Sequence, residues 1–140
     1  MNLKMQIIGN PITKLRPRFT KKGIAYDSQK LEKQATACLV MQQMAQNRQI
    51  KRYSGPIEVN MTFHTPIPKS WSQKRRMAVI GMPDTRRPDI DNFAKFILDV
   101  MNRLVYEDDS LITTLHCEKV YSDEPRTEIY IQEVHDEDRN

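Results

Sequence analysis

The chain has 140 residues, enough for one domain with a core of two packed layers but hardly enough for two domains. It contains 22 lysines and arginines against 18 acidic residues, and because residues 133–140 contribute minus three to a net charge of plus four, residues 1–132 carry plus seven. This balance favours an anionic partner such as nucleic acid over a small neutral metabolite.

Other features exclude a membrane protein and a thiol-based metal site. No uncharged apolar stretch approaches the roughly 20 residues that span a bilayer, and the segment MNLKMQIIGNP is too short and too polar for a secretory signal. We therefore expect a cytoplasmic protein without a membrane partner. Cys38 and Cys117 lack the spacing of a zinc site and are predicted to be core thiols, and the three histidines show no ligand pairing.

The first half of the chain predicts a strand, a basic loop and a helix. Residues 3–9 alternate loosely before Gly9 and Pro11 end the run, and a loop rich in lysine and arginine follows. From Ser28 to about Asn47, apolar residues recur every three or four positions. This spacing predicts an amphipathic helix capped by Asp27 or Ser28, with a buried stripe that includes Leu31, Ala35, Cys38 and Leu39.

The second half begins with the clearest strand, residues 57–65, in which apolar and polar residues alternate. Residues 66–88 form a long basic connection, and connections of this length are usually functional or partly disordered. A helix is predicted from Asn92 to Leu104, with Asp91 or Asn92 as its cap and a buried stripe formed by Phe93, Phe96/Ile97, Val100/Met101 and Leu104. Strands are predicted after it at 111–121 and 127–134. Residues 135–140 are an acidic polar tail after a domain of residues 1–134.

This order of elements predicts an α/β (α+β) fold in which two helices cover one face of a mixed β-sheet in a single domain. A chain of this size with one helical layer often buries further surface by pairing. We therefore regard a homodimer as plausible, although the pattern does not require one.

Candidate catalytic residues surround the second long helix. Asp89 and Asp91 are two residues apart in an extended segment, so their side chains point to the same side and can share one ion. Asp108 and Asp109 provide two further candidate carboxylate ligands. Because adjacent residues on an extended backbone point to opposite sides, we expect only one of these two to reach that ion.

Oxygen ligands of this kind suit a hard cation, Mg²⁺ or in its place Mn²⁺. Such an ion acidifies a bound water and stabilises charge on a phosphoryl oxygen, and Lys95, one turn beyond Asp91, lies where a cation would hold the phosphate. The alternative is purely structural. In that interpretation Asp89 and Asp91 cap the helix, Asp91 and Lys95 form an ordinary surface pair, Asp99 is solvated, and Asp108 and Asp109 form a polar turn.

The strings PDIDNFAKFILDVMN and YEDDSLI together resemble the signature of the RusA family of Holliday-junction resolvases. An N-terminal strand ending in Gly-x-Pro, the stretch Lys14–Arg18, and the segment from Pro68 to Arg76 are also similar to that family. The resemblance spans roughly residues 7–134. Two positions depart from the pattern, since many members have glycine where this chain has Arg103 and glutamine where it has Leu111.

The resemblance implies a homodimeric, Mg²⁺-dependent endonuclease that binds four-way DNA junctions and nicks two strands symmetrically, in recombination and repair, often encoded by phage or prophage. It also implies essential roles for Asp89, Asp91, Lys95 and, of the aspartate pair, Asp109. The departure at Arg103 could alter the turn that leaves the helix, and that at Leu111 could remove a polar contact near the site.

The basic segments then acquire a candidate role as contacts to DNA phosphates, which position a duplex without reading bases. These residues are Lys14, Arg16, Arg18, Lys74, Arg75, Arg76, Arg86 and Arg87. The alternative interpretation is that these basic residues lie in solvated loops with no role in binding. Trp71 is expected either to stack on an opened base or to pack within the domain. Two other functions stay open, a non-catalytic nucleic-acid-binding recombination accessory protein and a nuclease for other branched DNA such as flaps and forks.

Overall fold

The computed structural model describes residues 2–135, so that of the predicted acidic tail only His135 lies within the described part. The elements in chain order are β1 (Leu3–Ile8), β2 (Arg18–Phe19), β3 (Ala25–Tyr26), α1 (Lys30–Gln46), β4 (Ile57–Pro66), α2 (Gln73–Val79), α3 (Ile90–Met101), β5 (Ile112–Ser122) and β6 (Arg126–Glu133). A single 3-10 turn, Asp109–Leu111, precedes β5.

Across residues 2–135 the main sheet has four strands in the order β1-β6-β4-β5. The central strand β4 pairs antiparallel with β6 and parallel with β5, so the sheet is mixed. Every second side chain of β4 from Ile57 to Thr65 is buried, as the alternation in its sequence predicts. The small sheet of β2 and β3 is an antiparallel pair in the basic segment.

Helices α1 and α3 pack on the same face of this sheet, which confirms the predicted α+β architecture. The apolar face of α3 is buried as its spacing predicts, and Phe93 stacks on Phe63 of β4 with ring centroids 5.3 Å apart. The helix begins at Ile90, two residues before the predicted start, because Asp89 and not Asp91 or Asn92 is its N-cap. It ends at Met101.

The predicted buried stripe of α1 is wrong. Leu31 is 80 % exposed and Leu39 is 41 % exposed, while Ala35 and Cys38 also face outward. The residues that α1 buries are Thr36, Val40 and Met44. Thr36 tolerates burial because its hydroxyl donates a hydrogen bond of 2.9 Å to the carbonyl of Glu32. The prediction of core thiols fails for Cys38, whereas Cys117 is half-buried and burial raises its pKa.

The start of α1 also differs from the prediction, since Gln29 and not Asp27 or Ser28 is the N-cap. Gln29 is buried, and its side-chain amide donates to the carbonyl of Thr13 at 2.6 Å and accepts from the amide of Leu15 at 2.8 Å. Asp27 supports this arrangement by accepting from the amide of Gln29 at 2.9 Å. The side chain of Gln29 therefore fixes the beginning of the basic segment against α1.

The outer edge of β1 is covered by side chains of α1. The amide of Gln43 accepts a hydrogen bond from the backbone N–H of Gln6 and donates one to the carbonyl of the same residue. Asn47 donates to the carbonyl of Lys4 at 3.3 Å. Edge strands carry unpaired backbone groups, and these contacts satisfy them without adding another strand.

The connection 66–88 contains helix α2, which the sequence analysis did not predict. Ser72 is its N-cap and accepts a hydrogen bond from the amide of Arg75 at 3.2 Å. The segment that follows α2 lies along the free edge of β5, where Pro83 and Val120 form an antiparallel bridge. None of the helices in the described part of the chain has the length and apolar character needed to cross a lipid bilayer.

Candidate active site

Asp89 and Asp91 lie at the N-terminal end of α3 and line one cleft of about 840 Å³. Asp89 has an extended backbone, as the sequence predicts, and its side chain makes no capping hydrogen bond to the helix. The carboxylate of Asp91 is 62 % exposed. Capping alone therefore does not account for this pair, since the carboxylate at the N-cap position is not used as a cap.

Lys95 lies beside Asp91, one helical turn further along α3. Its Nζ is 3.4 Å from a carboxylate oxygen of Asp91, and each side chain is 62 % exposed. An exposed ion pair of this kind contributes little to stability, about 0.3–0.5 kcal/mol. The ammonium group is thus available to a ligand that enters the cleft from solvent.

Asp109 is not among the residues that line this cleft, which include Asp89 and Asp91. Asp109 lies in the 3-10 turn and accepts a hydrogen bond of 2.8 Å from the hydroxyl of Tyr106, which is also 3.1 Å from the carbonyl of Leu98. Leu98 lies two turns beyond Asp91 on α3. Nothing in the sequence around Tyr106 predicted this contact.

Asp108 has a local structural role. Its carboxylate accepts a hydrogen bond of 2.9 Å from the amide of Ser110 and caps the 3-10 turn. The hydrogen bonds from Ser110 hold the pKa of Asp108 below its usual value. Asp108 therefore stabilises the turn, as predicted by the purely structural interpretation in which Asp108 and Asp109 form a polar turn.

The described residues contain no group of three or more histidine, cysteine, aspartate and glutamate side chains that is close enough to hold a metal ion. The pair Asp89 and Asp91 still has the chemistry that Mg²⁺ requires, because this ion is usually bound through one or two carboxylates, several waters and the phosphates of the substrate. A two-carboxylate site at the start of α3 therefore fits a hard divalent cation.

Three further charged residues line the cleft: Asp84, Glu118 and Lys119. None of them was predicted from the sequence as part of the site. Asp84 is buried and accepts hydrogen bonds from the hydroxyl of Thr65 at 2.6 Å and from the guanidinium of Arg86 at 3.0 Å. Burial alone would raise the pKa of Asp84, but these hydrogen bonds outweigh it and lower the pKa to about 2. No pattern in the long connection distinguished this aspartate from an exposed one.

The predicted DNA-binding residues divide into two groups. In the first, the charge is engaged within the domain: Arg86 pairs with Asp84, and Arg76 donates to the carbonyls of Ile67 and Pro68 at 3.2 and 2.6 Å. The exposed residues Arg16, Arg18, Lys74, Arg75 and Arg87 form the second group. The second group is better placed to meet phosphate because its members are exposed, although Arg75 also packs on the indole of Trp71.

Lys14 also belongs to the engaged group, through Asp99 of α3. The ammonium of Lys14 and that of Lys33 are each 2.7 Å from the same carboxylate oxygen of Asp99. Burial alone would raise the pKa of Asp99, but the hydrogen bonds from the two lysines outweigh it and lower the pKa. Asp99, expected to be solvated in the structural alternative, instead joins the basic segment to α1 and α3.

Trp71 packs within its own domain. Its ring centroid is 5.8 Å from that of Tyr121, and the guanidinium of Arg75 lies 3.5 Å from the centre of the indole ring. One face of the indole is therefore covered by a cation, which is a favourable arrangement in itself. In this structure Trp71 is therefore packed within the domain, which was one of the two predicted arrangements.

Comparison with known proteins identifies the family. The family model for endodeoxyribonuclease RusA matches residues 9–132. The chain is 32 % identical over 137 residues to the uncharacterized protein YqaN of Bacillus subtilis (strain 168), a match that covers 94 % of this chain and 96 % of that protein. It is also 38 % identical over 82 residues to a crossover junction endodeoxyribonuclease rusA of Lactococcus phage r1t, a match that covers 56 % of each protein. Because the family model covers most of the domain, the chain belongs to the RusA family of endodeoxyribonucleases.

Proposed function

We propose that this protein is a structure-selective endodeoxyribonuclease that resolves four-way DNA junctions with Mg²⁺ as its cofactor. Its membership of the RusA family and its partial similarity to a phage crossover junction endodeoxyribonuclease support this activity. The single observation that carries it is the pair Asp89 and Asp91, which line one cleft beside the exposed ammonium of Lys95. A DNA substrate is also consistent with a cytoplasmic location.

In this proposal Asp89 and Asp91 hold the metal, for which Mn²⁺ can substitute, and Asp109 is the third essential carboxylate. When bound, such an ion acidifies a water molecule and stabilises negative charge on a phosphoryl oxygen. Lys95 binds the scissile phosphate and stabilises the charge that develops on its oxygens during displacement. The exposed cations of the basic segment and of α2 hold the junction arms by their phosphates.

We further propose that the protein acts as a homodimer, since paired nicks on two strands need two sites. The exposed apolar face of α1 supports this assembly. Leu31 and Leu39, two turns apart on that helix, are both exposed, although apolar side chains that recur on one face are normally covered. A second copy of the chain that covers this face would bury the stripe that its sequence pattern predicted to be buried.

The test is cleavage of a synthetic mobile four-way junction with a separate label on each strand, over a titration of Mg²⁺ and Mn²⁺. We expect metal-dependent nicks on two strands of like polarity, and little cleavage of linear duplex. Asp91→Asn should abolish cleavage and leave binding intact or tighter, because it removes a repulsive charge near phosphate. Asp123→Asn, an exposed aspartate in the turn between β5 and β6, is the matched control.

Two other outcomes correspond to the competing functions. Efficient cleavage of forks or flaps in place of the four-way junction would indicate a nuclease for other branched DNA. Binding that is sensitive to salt, indifferent to Asp89 and Asp91, and never accompanied by nicking would indicate a non-catalytic accessory protein. Either outcome would reject the resolvase proposal.

A further inference from the structure

The segment that leads to the acidic pair is attached to the free edge of β5. The amide of Gly81 donates to the carbonyl of Tyr121 at 2.8 Å, and the amide of Tyr121 donates to the carbonyl of Met82 at 3.0 Å. The amide of Asp84 donates to the carbonyl of Lys119, also at 3.0 Å. The backbone is therefore fixed to the sheet as far as Asp84, five residues before Asp89.

The remaining residues up to Asp89 are held by the side chain of Lys119. Its Nζ donates a hydrogen bond of 2.8 Å to the carbonyl of Pro88 and a further hydrogen bond to the carbonyl of Arg86. Together with the contact of its own carbonyl to Asp84, Lys119 binds the segment at three positions. These contacts span the turn that directs the chain from the sheet edge into α3.

The position of Asp89 depends on this backbone. Its side chain makes no capping hydrogen bond to α3, and its backbone carbonyl accepts a hydrogen bond of 3.1 Å from the amide of Asn92, so the helix holds the backbone of Asp89 from one side and does not cap its carboxylate. The carbonyl that Lys119 binds at Pro88 belongs to the peptide group whose nitrogen is that of Asp89. A shift of this peptide would move Asp89 relative to Asp91, which is fixed by the first turn of α3.

Lys119 also contributes charge. It lines the same cleft as four carboxylates, those of Asp84, Asp89, Asp91 and Glu118. Carboxylates repel one another when they are brought together without a cation. Arg86 already pairs with Asp84, and the ammonium group of Lys119 reduces the repulsion among the other carboxylates before a metal ion enters the cleft.

From these contacts we propose that Lys119 is a positioning residue for the metal-binding pair. It holds the peptide before Asp89 in the orientation that lets Asp89 and Asp91 bind one divalent ion, and it does so through backbone carbonyls and not by contact with the substrate. This inference rests on the proposed function of the pair. Partners that orient a metal ligand from behind typically change metal affinity or activity about 10–100-fold when they are removed.

The test compares Lys119→Met and Lys119→Arg with the wild-type protein. Mn²⁺ binding to the DNA-free protein, followed by electron paramagnetic resonance, is the primary measurement. We expect Lys119→Met to weaken the Asp91-dependent binding of Mn²⁺ about tenfold or more. Lys119→Arg should retain most of the affinity, since it keeps both the charge and the hydrogen-bond donors.

A second measurement separates positioning from general damage. Amide hydrogen exchange in the metal-free protein should be faster in Lys119→Met at Arg86 and Asn92, whose amides donate to the carboxylate of Asp84 and to the carbonyl of Asp89, with exchange in the core strands unchanged. Lys51→Met, which removes an exposed lysine outside the cleft, should behave as wild type in both measurements. If Lys119→Met does not fold, Lys119→Gln replaces it, because the shorter amide reaches at most one of the two carbonyls.

The outcomes distinguish this inference from the proposed function. If the wild-type protein binds Mn²⁺ and nicks junctions, and the Lys119 variants bind Mn²⁺ as tightly as Lys51→Met, the positioning role is wrong while the nuclease proposal stands. If the wild-type protein shows neither Asp91-dependent Mn²⁺ binding nor nicking, the proposed function itself fails, and the inference fails with it.

Discussion

The hydroxyl of Tyr106 lies 2.8 Å from a carboxylate oxygen of Asp109 and ties the 3-10 turn to the core. Tyr106 is completely buried, and burial together with the neighbouring Asp109 holds its pKa well above the usual value. The hydroxyl therefore stays protonated and remains a donor. This bond connects a residue of the hydrophobic core to the third of the predicted essential carboxylates.

We predict that Tyr106→Phe lowers the free energy of unfolding by about 1–2 kcal/mol, because a partly buried hydrogen bond to a charged group is lost. Urea denaturation followed by circular dichroism measures the change. Junction cleavage should fall as well, since Asp109 is no longer held in one orientation. Tyr26→Phe, at an exposed tyrosine, is the control, and an unchanged denaturation midpoint for Tyr106→Phe would contradict the prediction.

The pair formed by Asp84 and Arg86 predicts a pH dependence of stability. The folded-state pKa of Asp84, about 2, lies below its ordinary value of 3.8, so its contribution is present above about pH 4 and is lost as the pH falls towards 2. This difference between the two pKa values corresponds to about 2 kcal/mol in the free energy of unfolding. About half of this should be lost at about pH 3.

Asp84→Asn should accordingly destabilise the protein at neutral pH by about 2 kcal/mol. The difference from wild type should shrink as the pH is lowered from about 5 to about 3, as measured by urea denaturation at each pH. Asp123→Asn is the matched control, and its stability should follow that of the wild-type protein. A constant difference between Asp84→Asn and wild type over this range would show that Asp84 does not carry the effect.

Arg103 follows the C-cap of α3 with a φ of 65°, a conformation that favours glycine. Arg103→Gly should therefore raise the free energy of unfolding by about 0.5–1 kcal/mol. Its carbonyl, which accepts a hydrogen bond of 2.7 Å from Arg52, is kept in the variant. Arg48 has a φ of 58° after α1, and Arg48→Gly should stabilise the protein in the same direction. Lower denaturation midpoints for both variants would refute this account of the two turns.

The exposed face of α1 predicts the dimer contact. Leu31→Asp combined with Leu39→Asp should convert a dimer into a monomer in sedimentation equilibrium, because both charges would be buried between the copies. Ile50→Asp is the control, since Ile50 is 94 % exposed and lies beyond α1. If the wild-type protein sediments as a monomer, or if the double variant stays dimeric, this surface is not the interface.

Elements with a strong periodic pattern could be predicted from the sequence. The alternation from Ile57 predicted β4, and the spacing of Phe93, Ile97 and Val100 predicted the buried face of α3, because in both elements one face is clearly more apolar than the other. The start of α3 was misplaced by two residues. The N-cap is decided by backbone conformation, and several residues near Asp89 are equally good caps.

The orientation of α1 could not be predicted in the same way. It has two stripes at helical spacing, and the more apolar one, with Leu31 and Leu39, faces outward while Thr36 and Val40 are buried. A sequence pattern cannot show which stripe meets the sheet when a threonine satisfies its hydroxyl within the helix. Helix α2 was missed because it buries none of its seven residues and therefore has no apolar face that a periodic pattern would reveal.

Only those residues of the candidate site that are close together in the sequence could be predicted. Asp89 and Asp91 line one cleft, although Asp91 lies in the first turn of α3 and not in the extended segment that the spacing argument assumed. Whether they share one ion, and whether Asp109 joins them as a ligand, stays a prediction. The contacts of Asp84, Tyr106 and Lys119 depend on residues that are distant along the chain. Their roles became visible only with the tertiary structure.

The side chains that cover β1 restrict how copies of this protein can associate. In β1 the outward-facing carbonyls of Lys4 and Gln6 already accept hydrogen bonds from Asn47 and Gln43, and the N–H of Gln6 is also bonded to Gln43. Extension of the sheet across two molecules at these residues would first require those amides to leave. A continuous intermolecular sheet is thereby disfavoured at this edge, so association across β1 without local unfolding has to proceed through side-chain surfaces.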